Sequence, residues 1–249
     1  YIYSNLTGGM QVGQYQTEAG KSFAVDLGTY FQSKLFDING LESQWAAGMN
    51  ITNIGGKISY TESGDDDFLP MNLKIGSRVS TKIDDYNEFA LAFDINKLLI
   101  PTPPVYDGSG GTDPENIIAG MNPDVGVIQG VFQSFSDAPG GIEEELNELM
   151  YSIGGEYWYD QQFAFRFGYF HEHETKGNRK YFTIGSALKL NVFQIDFAYL
   201  IPANASVRSP LENTMRFTLV FNFDQFDAKT LFQRNSNVDK NNQKKQNEL

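Results

Sequence analysis

The stretch Phe163-Ala-Phe-Arg-Phe-Gly-Tyr-Phe-His171 alternates between bulky aromatic residues and smaller or polar ones. Every odd-numbered position from 163 to 169 is Phe or Tyr, whereas the even-numbered positions include Arg166 and Gly168. Successive side chains of a β-strand point to opposite faces of the sheet, so the pattern predicts a strand with one aromatic face and one mixed face.

The same alternation recurs along most of the chain. It is strong at residues 23–31, 73–79, 89–95, 182–190, 193–201 and 215–223. It is weaker at residues 44–60, at residues 151–159 and in a partial strand at the N-terminus. We therefore predict roughly ten antiparallel strands of about 9–12 residues, which is longer than the 5–6 residues usual in globular proteins.

The connections between these strands alternate in length. Short ones are predicted at residues 36–41, 82–87, 160–161 and 190–192, and long ones at residues 7–21, 61–71, 100–150, 172–180 and 202–213. Short turns at one rim and long loops at the other are typical of outer-membrane β-barrels, with the short turns in the periplasm. This favours a transmembrane barrel over residues 1–223 rather than a soluble all-β domain, with residues 100–150 as a long, partly helical extracellular loop. Residues 224–249 are polar and are predicted to form a flexible periplasmic tail.

Composition excludes several classes of function. The 249 residues include no cysteine, so a disulfide framework, a zinc–thiolate site and a thiol nucleophile are excluded. The formal charge of −12 argues against nucleic acid as a partner, because such proteins carry a basic surface. No apolar run approaches the roughly 18–20 residues of a membrane helix, which excludes helical membrane spans only. The mean hydropathy of −0.37 does not argue against a β-barrel, since alternation hides the apolar face of a strand from such an average.

Charged residues fall on the face opposite the aromatic one, which we interpret as the lumen of the barrel. The predicted lumen-lining residues are Asp26, Lys74, Arg78, Asp94, Glu156, Arg166, Lys189, Asp196 and Arg216. Mixed signs indicate pairing with each other or with a plug segment, and the alternative is a polar lining for a permeating solute.

Four stretches carry a more specific resemblance. They are Trp45-Ala-Ala-Gly-Met-Asn-Ile-Thr-Asn-Ile-Gly-Gly-Lys-Ile-Ser-Tyr60, Asp94-Ile-Asn-Lys-Leu-Leu-Ile-Pro-Thr-Pro-Pro104, Gly154-Gly-Glu-Tyr-Trp-Tyr-Asp160 and Gly168-Tyr-Phe-His-Glu-His-Glu-Thr-Lys-Gly-Asn-Arg-Lys-Tyr-Phe182. In this order they resemble the PorV family, outer-membrane components of the Bacteroidota type IX secretion system, within the broader group of FadL-like barrels. The resemblance implies fourteen strands and an N-terminal plug, and we expect further strands to precede Tyr1.

The resemblance also implies a function and partners. PorV-like proteins are non-enzymatic: they sit in outer-membrane lipid and bind secreted cargo through its C-terminal signal domain. They receive cargo at the translocon barrel (SprA/Sov) and pass it to the PorU sortase. The alternative is a FadL-like channel for hydrophobic small molecules.

The predicted loop at residues 100–150 is too long for an ordinary hairpin connection and is the main candidate site. Asp113 and Pro114 predict the start of a short helix. Apolar residues then recur at helical spacing at Val125, Ile128, Val131, Phe132 and Phe135, and again from Ile142 to Met150 opposite a run of glutamates. Either these faces bury against one another over the mouth of the barrel, or they form a partner-binding surface.

Motifs for metal binding and catalysis are weak. His171 and His173 lie on one side of a strand end without a third ligand at a recognisable spacing, and residues 65–67, all Asp, lack the spacing of a calcium loop. No nucleophile motif or dinucleotide-binding glycine pattern occurs. We therefore predict no metal, no cofactor and no enzymatic activity.

Overall fold

The computed structural model describes residues 1–5, 9–12, 15–61, 66–203 and 214–222. The strands are β1 (Ile2–Ser4), β2 (Gln11–Val12), β3 (Tyr15–Gln16), β4 (Gly20–Ser22), β5 (Ala24–Gln32), β6 (Phe36–Ile38), β7 (Leu41–Gly55), β8 (Asn72–Lys82), β9 (Asn87–Leu98), β10 (Val105–Tyr106), β11 (Ile117–Ala119), β12 (Met150–Tyr159), β13 (Phe163–His171), β14 (Lys180–Leu190), β15 (Phe193–Pro202) and β16 (Met215–Phe221). The helices are α1 (Val127–Gln133) and α2 (Ile142–Asn147), with 3₁₀ turns at Pro114–Asn116 and Glu174–Lys176. The predicted tail at 224–249 lies outside the described residues.

One large antiparallel sheet dominates the molecule. Its strands follow the order β5-β7-β8-β9-β12-β13-β14-β15-β16, and β6 also pairs with β7. The predicted antiparallel β architecture is confirmed, and each of the nine predicted long strands has a counterpart in this sheet. The sheet does not close on itself: in the described part of the chain, β5 and β16 form its two edges.

The division of the sheet into two faces is also as predicted. The register places Glu156 opposite Arg166, and Arg166 opposite Gly185, so the charged positions of neighbouring strands share one face. The opposite face carries the aromatic and aliphatic side chains, and many of these are exposed. Its most exposed members include Leu27, Phe165, Phe167, Phe217 and Leu219.

The connections alternate in length, as the sequence predicts. Short turns of residues 83–86, 160–162 and 191–192 lie at one end of the sheet, and connections of residues 56–71, 99–149, 172–179 and 203–214 lie at the other. No helix within the described ranges is both long enough and apolar enough to span a bilayer.

Two predicted strands differ from the structure. The N-terminal strand β1 pairs with β4 in a separate two-stranded sheet and does not join the large one. The strand predicted at residues 44–60 ends at Gly55, after Asn53 takes a left-handed conformation with φ of 60°. At Gly55 the chain passes so close to its neighbour that a Cβ would lie 2.1 Å from the carbonyl oxygen of Phe23, which only glycine permits.

The best-buried large apolar side chains belong to the long connections rather than to the sheet. Ile58, Leu69, Met71 and Leu99 are at most 5% exposed. Apolar residues buried on the sheet itself are alanines, such as Ala90 and Ala164. The long connections therefore form a packed layer over one end of the sheet, and this layer holds the candidate site.

Candidate functional site

The nine predicted lumen residues all lie on the same face of the sheet. Six of them form a ladder of ion pairs across the strands. Lys74 Nζ lies 2.9 Å from Asp94 Oδ2, and Arg78 Nη2 lies 3.0 Å from Glu156 Oε1. Arg166 completes the ladder, with Nε 2.6 Å from Glu156 Oε2 and Nη1 2.5 Å from Asp196 Oδ1. The predicted pairing between opposite charges is therefore confirmed for these six residues.

The other three make different contacts. Asp26 accepts a hydrogen bond from the backbone N–H of Asn53 at 2.8 Å. Lys189 and Arg216 form no ion pair with the residues that the structure describes.

Glycines make room for this ladder. A Cβ on Gly76 would lie 2.2 Å from Asp94 Oδ1, and a Cβ on Gly168 would lie 2.6 Å from the Thr183 hydroxyl. The alternation of glycine with charged residues on this face thus allows long side chains to lie across the neighbouring strand. The guanidinium of Arg166 also lies 5.7 Å from the ring of Trp158, which favours its orientation toward the acids.

We call residues 99–149 the cap. The cap begins with the hairpin of β10 and β11, and a 3₁₀ turn at Pro114–Asn116 lies between these strands. The predicted helix start is confirmed, because Asp113 is the N-cap residue and Pro114 follows it. The helix is a single 3₁₀ turn, and the Asp113 side chain makes no capping hydrogen bond.

Helix α1 carries the centre of the predicted partner-binding surface. Ile128, Val131 and Phe132 lie within the helix, and Val125 and Phe135 flank it. Ile128 is 76% exposed and Phe132 is 74% exposed; Phe135 is also exposed, and Val125 and Val131 are half-buried. The buried side of the helix is Gly130, where a Cβ would lie 2.7 Å from the ring of Phe68 and 3.2 Å from Pro101. The helix thus packs against the rest of the molecule at Gly130, and its largest apolar side chains point away from the molecule.

Helix α2 has the same inverted arrangement. Ile142 and Leu146, one helical turn apart, are 80% and 56% exposed. Glu144, Glu145 and Glu148 point inward instead and contact lysines of other elements. Of the two alternatives left open by the sequence, burial of the apolar faces against one another does not occur for these side chains.

Two lysines hold α2 in place by pairing with Glu144, Glu145 and Glu148. We call Lys97, Lys176 and these three glutamates the lysine mount. Lys97 of β9 is only 4% exposed, and its Nζ lies 3.1 Å from Glu145 Oε2 and 2.7 Å from Glu148 Oε2. Lys176, in the β13–β14 connection, lies 2.6 Å from Glu144 Oε1 and 2.9 Å from Glu148 Oε1. The mount therefore ties the cap to a strand end and to a second long connection.

Contacts within the lysine mount shift the pKa values of Glu144, Glu148 and Lys176. Burial by itself raises the pKa of Glu148, but hydrogen bonds from Lys97, Thr102 and Lys176 outweigh burial and hold it below the usual range. The pKa of Glu144 is lowered by its hydrogen bonds from Lys176 and from the backbone N–H of Gly140. Burial likewise opposes the charge of Lys176, but its two glutamate partners raise the pKa of the ammonium overall.

These shifts predict that acid weakens the attachment of the cap. Glu144 and Glu148 have lowered pKa values in the folded state, so their stabilisation is present above their unfolded pKa and is lost as pH falls through the folded pKa. We expect protease cleavage within residues 99–149 to accelerate as the pH falls below about 4.5, the unperturbed value for glutamate. Limited proteolysis by pepsin across that range, with Lys176→Met as a variant lacking one of the pairs, measures the effect. An identical acid profile in the wild-type protein and the variant would contradict it.

Asp137 is a buried acid that the sequence pattern did not reveal. Its Oδ2 accepts the backbone N–H of Thr102 at 3.0 Å, while Oδ1 is buried without a partner among the described residues. Burial raises its pKa, so Asp137 contributes to the pH dependence with the opposite sign: its stabilisation is lost as pH rises. The hydrogen bond joins the start of the cap to the α1–α2 connection. Local sequence patterns could not predict it, because Thr102 and Asp137 are 35 positions apart.

The two histidines have local roles in the structure. His173 is the N-cap of the 3₁₀ turn at Glu174–Lys176 and accepts from Thr175, while His171 lies against the ring of Tyr169. Beside them, Arg179 Nη2 lies 2.6 Å from Oε1 of the buried Glu172. The described residues contain no cluster of three or more His, Asp or Glu side chains arranged to hold a metal ion.

The N-terminal part of the chain, from β1 to the first residue of β10, has a counterpart among known protein families. Residues 1–105 match the family model of the type IX secretion system protein PorV. The resemblance to PorV is confirmed over these residues, which include the two stretches from Trp45 to Tyr60 and from Asp94 to Pro104. No curated protein matches the chain.

The matched region ends just inside the cap. It includes Lys97, the strand half of the lysine mount, but α1 and α2 lie beyond it. The candidate partner-binding surface therefore lies outside the region that matches PorV.

Proposed function

We propose that this protein is a non-enzymatic outer-membrane component of type IX secretion that binds exported cargo through its C-terminal signal domain. In this proposal the protein accepts cargo at the translocon barrel (SprA/Sov) and passes it to the PorU sortase at the cell surface. The family match over residues 1–105 carries the proposal. The exposed apolar helices of the cap supply a surface suited to such partners.

The large sheet supports the membrane part of the proposal. Most of its strands are 9 to 12 residues long, which suits a tilted strand crossing about 30 Å of hydrocarbon. Its exposed apolar face is far larger than a soluble monomer leaves in water, and outer-membrane lipid would cover it. In hydrocarbon every backbone polar group needs a partner, so the proposal requires further strands between β16 and β5 to close a FadL-like barrel. The long connections then face the exterior and the short turns face the periplasm.

A FadL-like channel for hydrophobic small molecules is the second candidate. A concave region of about 570 Å³ between β5 and β9 favours it, because glycine and alanine line much of that region. However, Lys74, Arg78 and Asp94 of the ion-pair ladder line the same region, so charges lie on the path that a permeating apolar molecule would follow. A ladder of paired charges suits a filled or plugged lumen better than a lipid path.

Cargo export in cells tests the proposal. We expect the double substitution Ile128→Ser with Phe132→Ser to reduce cargo export at least about tenfold, because exposed aromatic anchors supply most of the energy of many interfaces. The amount of the protein in the outer membrane should not change, since neither side chain is buried. Ile83→Ser, an exposed isoleucine at the opposite end of the sheet, is the matched control.

Two results would contradict the proposal. One is normal export and normal recovery of the translocon in the double variant and in a deletion of residues 125–135. The other is purification of the wild-type protein from membranes with bound lipid but with neither cargo nor translocon, which would favour the channel.

A further inference from the structure

The cap carries no basic residue. Residues 98–165 contain no Lys, Arg or His, whereas the cap contains nine acids. These acids are Asp107, Asp113, Glu115, Asp124, Asp137, Glu143, Glu144, Glu145 and Glu148. Any positive charge that balances them must come from outside the segment.

The structure shows which of these acids already have such a partner. Glu144 and Glu145 of α2 and its C-cap residue Glu148 pair with the lysines of the mount, and Asp124 Oδ1 lies 3.1 Å from Lys57 Nζ. Asp137 is buried. The remaining four are exposed and form no ion pair with any described residue: Asp107, Asp113, Glu115 and Glu143.

The unpaired charges share the cap with its apolar side chains. Glu143 lies in α2 between Ile142 and Leu146, on the side of the helix that faces away from the lysine mount. The other three lie in the β10–β11 hairpin, which adjoins the α1–α2 connection where Gly120 packs against Pro139. The outward surface of the cap thus carries mainly apolar or acidic side chains. Among the described residues, the basic partners of the cap acids are Lys57, at the exposed Asp124, and the two lysines of the mount on the inner side of α2.

We propose that this surface binds a cationic, apolar polypeptide segment, in which one or two apolar anchors are flanked by Lys or Arg. The anchors pack against Ile128, Phe132, Ile142 and Leu146, and the flanking cations pair with Glu143 and the hairpin acids. The proposal rests on the proposed function, since it assigns a chemistry to the partner of that same surface. Complementary charge around an apolar centre gives an interface its specificity and its rate of association.

A lipid surface is the less suitable occupant. Helices that lie on a bilayer carry Lys and Arg on their polar face, because these residues attract anionic headgroups. The cap has none, and its free carboxylates would repel such headgroups.

Two synthetic peptides that differ only in charge test the proposal. Both share a central Trp-Leu-Leu-Phe segment; one is flanked by two lysines on each side and the other by two glutamates. Binding to the full-length protein in a neutral detergent is followed by fluorescence anisotropy at several salt concentrations. We expect the lysine peptide to bind at least about tenfold more tightly at low salt, and its advantage to shrink as salt screens the charges.

Variants locate the binding on the cap. Glu143→Gln should weaken the lysine peptide about threefold without changing binding of the glutamate peptide, as expected for one exposed charge pair. Ile128→Ser with Phe132→Ser should abolish binding of both peptides. Asp85→Asn, an exposed acid in a short turn at the other end of the sheet, is the matched control and should bind like wild type.

Equal binding of the two peptides, or equal effects of Glu143→Gln and Asp85→Asn, would overturn the proposal. So would quenching by brominated lipid of a fluorophore attached at Phe132→Cys in the reconstituted protein, because lipid would then be the occupant. If cargo export still requires Ile128 and Phe132 while peptide charge has no effect, the proposed function stands and only the assigned partner chemistry fails.

Discussion

Replacing Lys97 by methionine is expected to destabilise the protein by about 3–5 kcal/mol, the usual cost of removing one member of a buried ion pair. The side chains of Lys97, Glu145 and Glu148 are 5%, 13% and 12% exposed, so the substitution leaves two carboxylates with little water and fewer partners. Methionine preserves the aliphatic packing of the lysine stem, which isolates the loss of charge. The free energy of unfolding of the detergent-solubilised protein, measured in guanidinium chloride, checks the magnitude.

Two controls make this result specific to the lysine mount. Lys82→Met removes a lysine that pairs with Glu42 at the exposed end of β8, and water and salt screen such an exposed pair, so this variant should be close to wild type in stability. Adding Glu145→Gln and Glu148→Gln to Lys97→Met should recover part of the lost stability, because no uncompensated charge then remains. Equal stability of Lys97→Met and Lys82→Met would show that the mount does not hold the cap.

The second large effect concerns two adjacent residues on opposite faces of β16. Phe217 is 72% exposed on the apolar face, and Thr218 lies on the charged face opposite Asp196. We expect Phe217→Arg to destabilise the folded, inserted protein by about 2–4 kcal/mol, the cost of an arginine on the lipid face near the bilayer midplane. Thr218→Arg should have a small effect, since the new charge lies beside a carboxylate. Folding into lipid vesicles, followed by urea titration, compares the two variants directly.

A reversal of this order, with Thr218→Arg the more harmful change, would mean that the charged face rather than the apolar face meets the membrane. Equal and small effects of both variants would mean that neither face does.

The long strands could be predicted from the sequence because their signal is local. Alternation in a segment such as Phe163–His171 indicates that a strand forms, and it also indicates which side chains share a face. The lengths of the connections are equally visible, and they determine which end of the sheet carries the cap. The exact partners in the ion-pair ladder could not be predicted from local patterns, since Arg78 and Glu156 are 78 positions apart.

The orientation of the cap helices could not be predicted in this way. Periodicity shows that Ile142 and Leu146 lie opposite Glu144, Glu145 and Glu148, but it does not show which side points inward. Ordinarily the apolar side is buried, and here Lys97 and Lys176 reverse the rule by supplying partners for the acids. These lysines lie 48 and 32 residues from their glutamates, beyond any local pattern. The reversal leaves the apolar side chains exposed, and the proposed partner surface depends on it.

Contact between the apolar face of the sheet and lipid can be tested directly, because the chain contains no cysteine. A single cysteine can be placed at each position from 163 to 169, spin-labelled, and examined in lipid vesicles without interference from other thiols. Collision rates with oxygen, which dissolves in lipid, and with a water-soluble nickel complex report what each label contacts. We expect high oxygen accessibility at positions 163, 165, 167 and 169 and low oxygen accessibility at the positions between them. Strong accessibility to the nickel complex at positions 165 and 167 would contradict it.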